Sequence, residues 1–285
     1  MRDGDIVIST PAKCGTTWTQ RIVSLLIFDS PELYAPMAHI SPWLDMNTRP
    51  LDDVVRELDA QTHRRFIKSH LPLEFLPRAD GLTYVTVGRD PRDVAVSMAH
   101  HIDNVDFMNF FVERMAAVGV EDLANMEPPA PVDETESAQD RFWHWVDTED
   151  DVRAEGFKHL VDHLRGYWDH RQDDNVVLLH YGDLQRDLVG QMQYLAGRLG
   201  MDYSRARLEE LAPAAAFDTM KAQADRVAPN SDQTFWKSTS AFFHAGTSGQ
   251  WRDVIGEDDL PRYEKRVREL VDTDFADWLH NEGAH

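Results

Sequence analysis

The stretch Asp5 to Trp18, DIVISTPAKCGTTW, constrains the fold more than any other part of this chain. Its apolar run from Asp5 to Thr10 reads as a buried strand. Pro11-Ala-Lys-Cys-Gly15 leaves room only for a tight loop, and Thr16 to about Phe28 carries Ile22, Val23, Leu26 and Ile27 at helical spacing. In a strand that turns at once into a helix, the amides of Gly15, Thr16 and Thr17 converge on one spot. Unpaired N–H groups and the helix dipole make that spot attractive to an anion. The Walker pattern G-x-x-x-x-G-K-[ST] is absent, because Lys13 precedes the glycine instead of following it, which disfavours a magnesium-dependent NTPase.

Further strands are predicted at Phe66 to Ser69, at Thr83 to Val87 and at Val176 to His180, the last after a helix from His159 to Arg171. Another helix begins near Pro91, and from about Tyr203 the pattern is mostly helical. Strands alternating with helices imply an α/β fold: a P-loop-like central parallel sheet with helices on both faces, in one domain spanning residues 1 to 285. The acidic, aromatic segment from Ile102 to Glu155 interrupts this pattern and contains Glu127-Pro-Pro-Ala-Pro131. It reads either as a variable cap or lid with an apolar pocket, or as an insertion whose aromatics pack onto the sheet.

Composition excludes several classes. The chain carries 29 Lys and Arg against 50 Asp and Glu, a net charge of -21, which argues against nucleic-acid partners and anionic membrane surfaces. Any anionic ligand therefore needs a locally basic pocket. No run of about 18 apolar residues is present, so no transmembrane segment is expected, and nothing resembles a signal peptide. A single cysteine, Cys14, rules out an intramolecular disulfide and fits a cytoplasmic setting.

The octet Pro11-Ala-Lys-Cys-Gly-Thr-Thr-Trp18 resembles the 5′-phosphosulfate loop of the cytosolic-type sulfotransferases, which use 3′-phosphoadenosine 5′-phosphosulfate (PAPS). Phe66-Ile-Lys-Ser-His-Leu-Pro72 is similar to that family's strand with the catalytic lysine and histidine. Arg89-Asp-Pro-Arg-Asp-Val-Ala-Val-Ser97 is similar to its 3′-phosphate motif, and Phe242 to Trp251 to its C-terminal glycine-rich loop. Ser41-Pro-Trp-Leu-Asp45 and Leu58 to Lys68 look especially like mycobacterial glycolipid sulfotransferases, bacterial enzymes. The resemblance runs from Asp5 to about Trp251.

This resemblance implies in-line transfer of a sulfuryl group to a hydroxyl of a small-molecule or glycolipid acceptor, with 3′-phosphoadenosine 5′-phosphate (PAP) as product and no metal. Lys13 and Lys68 would face the leaving phosphate oxygen, and His70, two residues along the strand from Lys68, would be the general base. Arg89 and Ser97, the latter at the start of a helix, would bind the 3′-phosphate. Lys13, Cys14, Gly15, Thr16 and Thr17 would cradle the 5′ side, Trp18 and Phe217 would sandwich adenine beside Tyr181, and Phe243, His244 and Gly246 would close the site.

Some positions depart from the family. His244-Ala245 stands where Arg-Lys is usual, Ala215-Ala216 where Thr-Ser is usual, and the dimerisation segment is unrecognisable, which leaves the oligomeric state open. Arg92 or Arg252 are candidates to compensate. Cys14 lies at a helix N-terminus beside Lys13, an environment that favours thiolate and modification, or else it is an inert filler. His159 and His163 have the spacing of zinc ligands, but Leu160 replaces the glutamate of H-E-x-x-H, and a surface helix is expected. Two alternatives remain: a P-loop kinase or NTPase, and a non-catalytic nucleotide-binding relative. In the latter, His244 and Ala245 would mark a decayed site; taken by themselves, Arg89, Asp90, Arg92 and Asp93 could also be merely a solvated charge cluster.

Overall fold

The computed structural model describes residues 1 to 121, 135 to 149 and 156 to 281. Four short strands form one sheet: β1 (Ile6–Ser9), β2 (Phe66–Ser69), β3 (Thr83–Gly88) and β4 (Val176–His180). They pair in the order β2-β1-β3-β4, all parallel, with Ile6 opposite Phe66 and Thr83 in register. The predicted strands are present to within about a residue.

Alternation along the strands divides the core. Ile6, Ile8, Val85, Val87, Val177 and Leu179 point to one face, where Ile22, Val23 and Leu26 of helix α1 (Thr16–Phe28) cover them. Val7, Tyr84 and Val176 point to the other, against Leu73 and Tyr167. Both faces are thus dry, as a parallel sheet requires. The helix Phe157–Asp169 carries Tyr167 and also His163, which is 0% exposed. The expectation of a surface helix there is wrong: its inner face packs on the sheet, and His163 stacks on Tyr167 with ring centres 5.5 Å apart.

Within the segment from Ile102 to Glu155, the helix Ala138–Asp147 buries Phe142, Trp143 and Trp145 in a cluster with Val94, Phe157 and Tyr263. These aromatics are core. Phe110 packs edge-on against Phe235, 5.7 Å away. The Glu127 to Pro131 stretch lies outside the described residues.

A buried ion pair ties the amino-terminal end of the sheet. Arg65 forms a bidentate pair with Asp5, both side chains at most 5% exposed. Such a pair stabilises only as a unit, since removing one member strands a buried charge.

Among the described residues no helix is long and apolar enough to cross a membrane.

Candidate active site

The carboxyl ends of β1, β2 and β3 open into a cavity of about 350 Å³, the position where open α/β sheets hold ligands. The loop after β1 forms its floor. Lys13 has φ 65°, a left-handed conformation uncommon for a residue with a side chain, and Gly15 follows at φ 109°. Arg89, the residue after β3, secures this turn. Its guanidinium donates to the Lys13 carbonyl at 2.9 Å and to the Thr247 carbonyl at 3.2 Å, and lies over the Tyr181 ring at 4.2 Å. Its Nε is buried and has no hydrogen-bond partner. Arg89 and Asp93 are 5% and 1% exposed, so this is not a solvated charge cluster.

Helix α1 is preceded at its N-cap by Gly15, which has no side chain to cap it, so its first amides have no side-chain acceptor there. Gly15, Thr16, Thr17 and Trp18 all line the cavity. A Cβ on Gly15 would sit 3.1 Å from the Tyr181 ring. Trp18 meets Tyr181 edge-on at 5.2 Å, and Phe217 also lines the cavity. Gly246, at φ 65°, passes so close to Phe217 that a Cβ would fall 2.2 Å from its ring. Asp93 draws the glycine-rich loop inward by accepting from the amides of Gly249 at 2.7 Å and Trp251 at 3.4 Å.

At the other end lie Trp43, Asp45, Lys68, His70, His101, Trp236 and Phe242. The chain at Trp43 runs beside β2 as a bridge to Lys68, which sets the Lys68 Nζ over the Trp43 ring at 3.3 Å. His70 follows the last residue of β2. Its backbone N–H donates to Asp45 Oδ2 at 3.0 Å, and its Nδ1 lies 2.6 Å from the Thr10 carbonyl. A carbonyl only accepts, so the ring proton sits on Nδ1 and Nε2 keeps its lone pair. Burial, and next the Lys68 charge, hold the His70 pKa well below the ordinary 6.5. Lys13 Nζ lies over Phe242 at 4.5 Å and meets His101 Nδ1 at 3.5 Å.

Lys13, Gly15, Thr16, Thr17, Trp18, Lys68, His70, Arg89, Ser97, Tyr181, Phe217, Phe243, His244 and Gly246 therefore border one cavity. Three sequence expectations need correction. Ser97 is the seventh residue of the helix Pro91–Asp103, not a residue at its start. Cys14 does not line the cavity: it is 0% exposed in the cluster with Val94, Ala95 and Trp251, a buried thiol with no open path for modification. The aromatics of the Ile102 to Glu155 segment do not line the cavity either, whose apolar wall comes from Trp43, Pro229, Trp236 and Phe242.

Arg92 is held by Asp90 at 2.7 Å and, like Arg252, is not at the cavity wall. His244 instead stacks on His100, ring centres 3.7 Å apart, while Lys221 donates to its carbonyl. Sequence reasoning assigned no role to Trp43, Asp45, His101 or Trp236. Only the quoted Ser41 to Asp45 stretch hinted at the first two. Among the described residues no group of three or more His, Cys, Asp and Glu is placed to hold a metal ion.

The sequence model of the sulfotransferase domain matches residues 3 to 275. A glycolipid sulfotransferase of Mycobacterium bovis is 40% identical over 290 residues, covering 98% of this chain and 89% of that protein. One of Mycobacterium tuberculosis is 40% identical over 291 residues, with the same coverage of 98% and 89%. Among solved structures, retinol dehydratase in complex with retinol and PAP aligns with a TM-score of 0.72 at 23% identity, over 96% of this chain and 83% of the other. A mouse sulfotransferase complexed with PAP aligns with a TM-score of 0.68 at 20% identity, over 100% and 90%.

Proposed function

The chain belongs to the sulfotransferase family and is a PAPS-dependent sulfotransferase; from that premise we propose that it sulfates a hydroxyl of a glycolipid-like acceptor with His70 as general base. The acceptor class follows the names of the mycobacterial relatives. The residues fit the donor. The uncapped start of α1 and the unpartnered Arg89 Nε suit its phosphates, and the Trp18 and Phe217 rings in the cavity lining suit a flat base. When bound, the donor supplies an activated sulfuryl group and leaves as PAP.

The rest is the work of side chains. The acceptor oxygen forms a bond to sulfur while the bond from sulfur to the phosphate oxygen breaks. The hydroxyl proton passes to His70 Nε2, which is free to take it because Nδ1–H is committed to Thr10. Lys13 and Lys68 stabilise the negative charge that builds on the departing phosphate, and they do so most effectively in a site that excludes water. The fixed tautomer of His70 is the observation that carries this reading.

The test is transfer of labelled sulfate from PAPS to a glycolipid, together with thermal unfolding in PAP without metal. Sulfated lipid and a raised midpoint are expected. Stabilisation by ATP and magnesium but not by PAP would favour a kinase or NTPase, and PAP stabilisation with no transfer would favour a non-catalytic relative.

A further inference from the structure

Two imidazoles border the acceptor end of the cavity, and their partners impose opposite tautomers. His70 directs Nδ1–H to the Thr10 carbonyl and so presents a lone pair at Nε2. His101 directs Nδ1 to the Lys13 Nζ at 3.5 Å. An ammonium has only protons to give, so Nδ1 of His101 accepts and the one proton of its neutral ring sits on Nε2. Burial, then the charges of Lys13 and Lys68, keep that ring neutral by holding its pKa well below 6.5. Trp236 and Phe242, with ring centres 5.2 and 6.0 Å away, flank the ring and fix its tilt. Neither flanking side chain carries an oxygen to receive the proton.

We propose that His101 selects the acceptor: its Nε2–H donates to an oxygen beside the reacting hydroxyl, so the site favours polyols such as sugar headgroups over monohydric alcohols and phenols. A sugar presents a hydroxyl to His70 Nε2 and a neighbouring hydroxyl or ether oxygen to His101 Nε2–H. A simple alcohol satisfies the first and leaves the second unpaired, and an unpaired buried donor costs affinity. This inference rests on the sulfotransfer reading and narrows its substrate class.

The experiment compares kcat/KM for octyl glucoside and for 1-octanol, with PAPS as donor, in wild type, His101→Phe and His101→Gln. The two acceptors share an alkyl chain, so their ratio isolates the headgroup. Any disturbance of Lys13 slows both acceptors and cancels in the ratio. The wild type is expected to prefer the glucoside. His101→Phe should lower the ratio about tenfold, the size of one lost hydrogen bond. His101→Gln, with an amide N–H for the sugar and an oxygen for Lys13, should keep it within about threefold of wild type. An unchanged ratio in His101→Phe, with transfer still measurable, overturns the role of His101 and leaves sulfotransfer standing. Absence of transfer to octyl glucoside by a wild type that still sulfates a glycolipid overturns this inference and leaves sulfotransfer standing, whereas absence of transfer to the glycolipid as well overturns both.

Discussion

The ammonium of Lys68 lies 3.3 Å from the centre of the Trp43 ring, held there by a backbone bridge between the same two residues. A cation over an indole face contributes about 0.5 to 2 kcal/mol depending on its solvation, and here it also fixes where the charge points. Trp43→Leu is therefore expected to reduce kcat about three- to thirtyfold while PAP affinity changes little. Calorimetric PAP titration beside steady-state rates separates the two effects.

Arg89 is a structural clamp and a ligand group at once. Its contacts to the Lys13 and Thr247 carbonyls join the phosphate loop to the glycine-rich loop, and its Nε is left for the nucleotide. Lysine cannot reproduce that fork. Because a charge-assisted hydrogen bond contributes about 1.5 to 3 kcal/mol, Arg89→Lys should weaken PAP binding about ten- to a hundredfold. Equilibrium titration with PAP reads this directly.

Gly246 has no room for a side chain. At φ 65° and with Phe217 across from it, an added Cβ must push an aromatic ring that lines the cavity. Gly246→Ala is expected to weaken PAP about tenfold, more than the roughly 1 kcal/mol stability cost of a left-handed alanine implies. Unfolding midpoints with and without PAP distinguish these contributions.

Much of this arrangement is legible in the residues, and the exceptions have physical causes. β1 to β4 stand out because buried parallel strands are short apolar runs, and Lys13, Lys68, His70 and Arg89 stand out because each follows or ends such a run. The burial of His163 is invisible because a histidine at i, i+4 from another marks a helix face without saying what that face meets. Cys14 illustrates the same limit. Its neighbours in sequence favour a reactive thiol, yet its neighbours in space are Val94, Ala95 and Trp251. Trp43 and His101 act through tertiary contacts to Lys68 and Lys13, and no local pattern encodes those.

Acid should destabilise the fold from mildly acidic pH. His70, His101, His163 and His180 all have pKa values lowered by burial, His163 to about 3. Below the ordinary 6.5 the unfolded chain binds protons that these rings refuse in the fold. Stability therefore rises with pH up to about 6.5 and levels off above it. Unfolding midpoints between pH 5 and 8 test the sign. A midpoint that climbs as pH falls through 6.5 would mean that these histidines are charged in the folded state.

The central claim is that His70 takes the acceptor proton. The most direct test is the turnover of His70→Ala with PAPS and a glycolipid acceptor, measured beside its PAP affinity. The expected result is a loss in kcat of about 10² to 10⁴, the range for a general base, with PAP affinity within about threefold of wild type. Wild-type turnover in His70→Ala would contradict the account and require another base in the cavity.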